Sequence, residues 1–299
     1  MSVRLGEMSA SGFARRRTEL VRDTAVGLSV GRGLSAPEAE AAARETVAQM
    51  LPDGPATAGQ LVRAAVAGDG TTVGWIWVSM PGFAVPDTAW ICDIVVDPPY
   101  RRRGHAAAII RAAEAELARL GAARIGLNVL GSNDTARRLY ERLGFETLRQ
   151  VRSRSLPDGP AQLSSSVRLV PIQPADLHRR LAATAAPSRS HLPDDPDPDE
   201  YFVRTAMAGD AEVGWIYYGR YGPGRSATGW IYQIDVDEPY RSRGYGTAMI
   251  AAAEADLVRR GARSIGLYVR GDNTGAQRLY ERLGFALVSQ DMTKPLPTP

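Results

Sequence analysis

Apolar positions recur along this chain in two registers. Short β-branched and aromatic runs at residues 61–67, 74–79, 90–96 and 125–129 predict strands, with glycine-bearing turns between the first two. Ile109, Ile110, Ala113, Leu117 and Leu120 recur at helical spacing and predict a helix after Gly104. Before the strands, Val3 and Leu5 alternate as a short strand, and residues 7–33 predict one helix. Ser35-Ala36-Pro37-Glu38 then supplies an N-cap, a first-turn proline and a capping-box glutamate for a second helix. Residues 133–143 predict a helix closed by Gly144, and a final strand pair is expected from Phe145 onward.

The pattern then starts again. Ser166-Val167-Arg168-Leu169 repeats Ser2-Val3-Arg4-Leu5 at an offset of 166 − 2 = 164. From Gly74 against Gly214 the offset is 214 − 74 = 140, and it holds without a gap to Leu156 and Leu296. About half of the aligned positions in that span are identical, which marks an internal duplication. The two offsets differ by 164 − 140 = 24, so the first half is longer by that much, all of it before Gly74. In the second half a helix is expected over residues 175–185, an exposed proline-acid loop over 194–200, strands over 201–208, 214–218 and 230–236, and a helix over 247–260. The reading is two α+β domains, each a mixed, mostly antiparallel sheet flanked by helices: residues 1–156, a linker at 157–165, and residues 166–299.

Composition narrows this only modestly. At 299 residues and 44% apolar content the chain can build two cores. One cysteine, Cys92, excludes an internal disulfide framework and fits a reducing compartment. No apolar run approaches a membrane span and residues 1–23 lack a signal-peptide core, so a cytoplasmic protein that does not engage membrane is expected. The net charge of +3 comes from arginines interleaved with carboxylates, a solvated face rather than a nucleic-acid footprint.

Chemistry concentrates where strand meets helix. Arg241-Ser242-Arg243-Gly244-Tyr245-Gly246, and at the matching place in the first half Arg101-Arg102-Arg103-Gly104-His105-Ala106, put a glycine turn and two matching arginines at the start of a long helix. The first N–H groups of a helix carry partial positive charge, so the turn is an anion cradle. A Walker loop is excluded because the chain's only lysine is Lys294, and a dinucleotide fingerprint fails because Met249 and Ile109 stand where its third glycine belongs.

The cradle is followed by Asn133 through Arg138-Leu139-Tyr140-Glu141-Arg142-Leu143-Gly144-Phe145, and again by Asn273 through Arg278-Leu279-Tyr280-Glu281-Arg282-Leu283-Gly284-Phe285. With both motifs in both halves, the chain resembles the GNAT superfamily of N-acetyltransferases over nearly its whole length. The resemblance implies acetyl-CoA as co-substrate, no metal, and a direct attack by an amine on the thioester. It assigns the pyrophosphate to Arg101, Arg103, Gly104 and Ala106, and to Arg241, Arg243, Gly244 and Gly246. Ala106 departs from the more usual glycine. The pantetheine arm is assigned to Ile94 and Val96, and to Ile234 and Val236.

Asn133, Ala136 and Tyr140 fall at i, i+3 and i+7, so an amide, a small residue and a phenol share one helix face, as do Asn273, Ala276 and Tyr280. The asparagines are expected to bond the cofactor and the tyrosines to protonate the departing thiolate; a buried anchor is the alternative role for the phenols. Asp93 and Asp235 are candidates for the general base, at positions that do not match in the repeat, and a water relay stays open. Asp97 and Asp237 read as turn formers, His105 as a spacer, Cys92 as a small buried residue, and Trp75, Trp90, Trp215 and Trp230 as core. The acceptor is expected to be a small-molecule amine. A cysteinyl amine, a protein N-terminus or a lysine stays open, as do a monomer or a homodimer and a non-catalytic acyl-CoA binder.

Overall fold

Residues 2–32, 35–82, 86–157, 166–173, 176, 179–180, 200–221 and 227–297 are described by a computed structural model. In the first half, β1 (Val3–Glu7), α1 (Ala10–Arg32) and α2 (Ala36–Met50) precede β2 (Gln60–Ala67), β3 (Thr72–Ser79) and β4 (Thr88–Val96). Then come α3 (His105–Arg119), β5 (Arg124–Leu130), α4 (Asp134–Arg142) and β6 (Glu146–Ser155). The second half gives β7 (Arg168–Pro171), β8 (Tyr201–Ala208), β9 (Ala211–Arg220), β10 (Thr228–Val236), α5 (Tyr245–Arg259), β11 (Ser264–Arg270), α6 (Thr274–Arg282) and β12 (Ala286–Pro295). The expected linker from residue 158 on, most of the expected 175–185 helix, and residues 194–199 lie outside the described residues.

Local chemistry sets the boundaries. Helix α1 begins at residue 10 rather than 7 because β1 extends through Glu7 and Ser9 Oγ accepts the Gly12 N–H at 3.1 Å. At α2 the capping box is present, with the Ser35 N–H donating to Glu38 at 3.0 Å. The strand pair expected after Phe145 is instead one ten-residue strand in each half, since no glycine, and no proline before Pro295, interrupts 146–155 or 286–295.

The chain packs as two compact units that do not follow the duplication. Unit 1 is Met1–Val129, Asn133–Leu148 and Asp291–Pro299; unit 2 is Leu130–Ser132 and Arg149–Gln290. Residues 149–156 of the first half therefore pack in unit 2, and 291–299 of the second half in unit 1. The reason is side-chain chemistry on the last strand of each half. In unit 1, Met292 joins the core, Arg124 donates to Thr293 at 2.8 Å, and Asn128 donates to Asp291 at 2.7 Å. Lys294 pairs with Glu114 at 2.8 Å and donates to the Leu143 carbonyl at the end of α4. In unit 2 the same places are filled by Arg154 on Glu254 and by Arg152, which bonds Glu281 at 2.7 Å.

Unit 1 orders its strands β1-β2-β3-β4-β5, then residues 291–295 of β12. Pairing is antiparallel from β1 to β4, and β4 pairs with β5 in parallel. Unit 2 repeats this as β7-β8-β9-β10-β11, followed by residues 149–155 of β6 antiparallel to β11. In unit 1, Ile109, Ile110 and Leu117 of α3 and Tyr140 of α4 pack on one face with Ile76, Val78 and Leu127. On the other, Phe13 of α1 packs with Trp75, Trp77, Cys92 and Val95. Unit 2 has the first of these cores again, around Met249, Ile250, Leu257 and Tyr280. Trp75, Trp215 and Trp230 are buried as expected, while Trp90 is half-buried and covers Gly126, where a Cβ would meet its ring at 2.6 Å.

Candidate active site

After β4, Pro98–Tyr100 form a short 3₁₀ turn, Arg102 takes a left-handed φ of 62°, and Gly104 takes φ 82° as the N-cap of α3. The helix ladder opens with the Ala108 N–H on the Gly104 carbonyl at 3.2 Å, so the amides of residues 105–107 lie ahead of it and face the turn as donors. The second half copies this backbone, with Ser242 at 61° and Gly244 at 84°. A Cβ on Gly246 would make only ordinary contacts, with Leu279 at 3.6 Å and Val236 at 3.8 Å, so alanine at 106 leaves its cradle open. These donors and left-handed glycines fit a diphosphate.

Arg101 does more than attract charge. Its Nε donates to the Val96 carbonyl at 2.9 Å, and Arg241 does the same to Val236 at 2.9 Å, so each fixes the turn onto the end of its strand. Arg103 and Arg243 are exposed, and Arg103 does not line the cleft described next.

The parallel pairing of β4 with β5 stops at Ile91 against Leu127, and that of β10 with β11 stops at Ile231 against Leu267. A bulge sits at the same place: Trp77 pairs with Asp93 and Val78 with Ile91, leaving Cys92 as the extra residue, and Tyr232 is its counterpart. Beyond the bulge the strands part, and in unit 1 a cleft of about 860 Å³ opens there. It is lined by the expected Ile94, Val96, Arg101, Gly104, Ala106, Asn133 and Tyr140. It also takes in Tyr100, Arg102, Thr135, Arg138 and Arg142, which the sequence reading missed. Thr135, Arg138 and Arg142 lie at i, i+3 and i+7 on the tyrosine's own helix, a spacing that was available to find them.

Asn133 and Asn273 cap their helices: each Oδ1 accepts an N–H, from Ala136 at 3.1 Å and from Ala276 at 3.0 Å. That use takes one of the two lone pairs of the amide oxygen and leaves the Nδ2 donors for a ligand. Tyr140 is 7% exposed and Tyr280 5%, each edge-on to the phenylalanine that follows its helix at 5.7 Å. Burial pushes both phenols up to about 12, with the Asp93 charge adding to the shift at Tyr140, so both are protonated at neutral pH.

Asp93 does not line this cleft. By alternation it shares the face of Val95, which α1 covers, and burial pushes its carboxyl up to about 6, with Asp23 adding and Arg16 opposing. Its repeat position holds Gln233. Asp235 is also raised by burial, but it is more open and lies 3.6 Å from Arg241. Asp97 and Asp237 are more than turn formers. Each accepts the N–H of a tyrosine three residues on through its main chain, while its carboxylate is held by an arginine, Arg16 or Arg180. Cys92 is half-buried and pushed up to about 11, which leaves no thiolate for nucleophilic work. His105 is buried against Tyr100 at 6.1 Å, with Nδ1 unpartnered among the described residues. His178 and His191 lie outside the described residues.

A helix-start anion cradle beside a parted pair of parallel strands is thus built twice. The chain belongs to the GNAT acetyltransferase family, whose members use acetyl-CoA: the family profile described as "Acetyltransferase (GNAT) family" matches residues 35–145 and 173–285. A mycothiol acetyltransferase from Mycobacteroides abscessus is 31% identical over 247 residues, covering 76% of this chain and 82% of the relative. One from Mycolicibacterium paratuberculosis is 30% identical over 269 residues, covering 79% and 83%. The crystal structure of a GCN5-related N-acetyltransferase from Sphaerobacter thermophilus matches 98% of this chain and 95% of its own at a TM-score of 0.52 and 20% identity, a likeness of fold. No helix among the described residues is long and apolar enough to cross a membrane.

Proposed function

We propose that the protein transfers an acetyl group from acetyl-CoA to a primary amine, that unit 1 does the chemistry, and that unit 2 binds the donor without turning it over. The supporting observation is that Asp93 and Tyr140 flank the parting of β4 and β5, close enough for the charge of one to be felt by the other. Acetyl-CoA, when bound, supplies the activated acyl carbon. Gly104, Ala106 and the leading amides of α3 would hold its pyrophosphate, with Arg101 and Arg102 adding charge, and Ile94 and Val96 would follow the pantetheine arm.

In this reading the amine enters from the α1 face and Asp93, ionised above about pH 6, takes its proton. Backbone donors on β4 meet the oxyanion. Tyr140 donates to the sulfur as it departs. A phenol near 12 is a weaker acid than a thiol near ~8.5 by about 3.5 units, so the transfer runs uphill by about 5 kcal/mol, and the cycle closes when Asp93 releases the amine proton to solvent and the phenolate takes one back. Unit 2 keeps its tyrosine but has Gln233 in the place of Asp93.

A second reading narrows the acceptor. The two relatives above are named mycothiol acetyltransferases, and the resemblance of the paired halves to such tandem enzymes implies a cysteinyl amine. Thiol release from acetyl-CoA across a panel of amines, cysteinyl amines included, tests both readings. Tyr140→Phe is expected to lower kcat about 100-fold with donor affinity unchanged, and Tyr280→Phe to change neither. Activity with simple amines but not cysteinyl ones removes the second reading. Binding of acetyl-CoA with no thiol release from any amine would leave a sensor in place of an enzyme.

A further inference from the structure

The offset relating the halves changes from 164 to 140 between their N-terminal parts and their cradles. One contact spans that change and is made twice. Arg16 and Arg180 stand at the first offset, 180 − 16 = 164, while Asp97 and Asp237 stand at the second, 237 − 97 = 140. Arg16, 4% exposed, holds Asp97 and bonds Glu19 at 2.7 Å. Arg180 holds Asp237 at 3.0 Å together with Glu212. The third partner differs, coming from α1 in one unit and from β9 in the other; the arginine–aspartate link does not.

Asp97 is the residue from which the cradle hangs. Its N–H donates to the Val73 carbonyl at 2.9 Å, its own carbonyl accepts the Tyr100 N–H at 2.9 Å, and the left-handed Arg102 and Gly104 follow. Arg16 thus grips the start of the donor turn from a helix that packs on the other face of the sheet. The same guanidinium is among the groups around Asp93, with Asp23 on α1, Trp75 on β3, Cys92 on β4 and Tyr140 on α4.

We propose that Arg16 is a positioning residue that locks α1 to the donor cradle through Asp97, so that affinity for the acyl donor depends on the helix covering the opposite face. The proposal rests on the acyl-CoA reading of the cleft. A guanidinium suits the task because its rigid fork holds two carboxylates at once, which an ammonium on a flexible stem does not.

Calorimetric titration with acetyl-CoA in a Gly244→Asp background, which confines binding to unit 1, tests it alongside the pH profile of thiol release. Arg16→Gln and Asp97→Asn are each expected to weaken binding about tenfold, a usual size for coupling between sites, with the double variant no weaker than the worse single. Arg16→Gln should also move the acid limb of the profile to higher pH, because a positive charge near Asp93 is gone. Arg16→Lys should keep the limb and not the affinity. Near wild-type affinity in Asp97→Asn or Arg16→Lys, or losses that multiply in the double variant, would overturn the link. Should Arg16→Gln fail to fold, those two variants decide it. An absence of binding heat in the background protein itself counts against the acyl-CoA reading rather than against the link.

Discussion

Asp93→Asn is expected to lower kcat by about 10²- to 10⁴-fold and to flatten the acid limb of the pH–rate profile. The sign follows from the direction of the shift. Burial holds the carboxyl at about 6, above the ordinary aspartate value, and only its ionised form accepts a proton. In the wild type the rate should therefore be level above about pH 7 and fall about tenfold per unit below about pH 6. An amide at 93 has nothing to titrate, so what rate remains should lose that limb. An unchanged limb in Asp93→Asn would assign it to another group and leave a relayed water as the proton acceptor.

Met292→Ala should destabilise unit 1, the one built mainly from the first half. Met292 is 1% exposed in the core that holds Ile109, Leu127 and Tyr140, and truncating such a side chain costs about 2–5 kcal/mol. Two residues on, Lys294 caps α4 through the Leu143 carbonyl and lies 5.5 Å from the Phe145 ring that Tyr140 packs against. Donor binding at the first cradle, measured with the second blocked by Gly244→Asp, should weaken and lose its thermal protection. Binding at the second cradle, measured in Gly104→Asp, should hold. The reverse outcome would return residues 291–299 to the second half, where the repeat alone puts them.

That exchange marks the limit of what the chain's pattern discloses. Periodicity finds β6 and β12 as elements because Leu148 and Leu156, or Val288 and Leu296, recur in corresponding places. It carries no record of which β5-like strand each one lies beside, since the two are nearly alike. The decision sits in few side chains, with Lys294 on Glu114 in one unit and Arg154 on Glu254 in the other.

The glycine turn and Arg101 were legible because a left-handed backbone calls for glycine and an anion site for arginine, whereas Arg102 lines the cleft and the expected Arg103 does not. Tyr140 was legible because helical spacing fixes its face. Asp93 was found by residue type, yet its face depends on the bulge at Cys92, which shifts the alternation after it. Arg16 was invisible for another reason: its partner lies 81 residues away, and nothing in an arginine-rich helix distinguishes one guanidinium from the next.

The most direct test of unit 1 as the chemical half compares thiol release by Gly104→Asp and Gly244→Asp with that of the wild type at saturating amine. Each aspartate sets a negative charge where the pyrophosphate would lie; a Cβ there meets open space, and the strain of a side chain at a left-handed φ of 82° or 84° is the same in both variants, so their difference reports the charge. Gly104→Asp should lose turnover, whereas Gly244→Asp should keep it and lose one of two donor-binding events. Turnover that survives Gly104→Asp and vanishes in Gly244→Asp would contradict this assignment and give the reaction to unit 2.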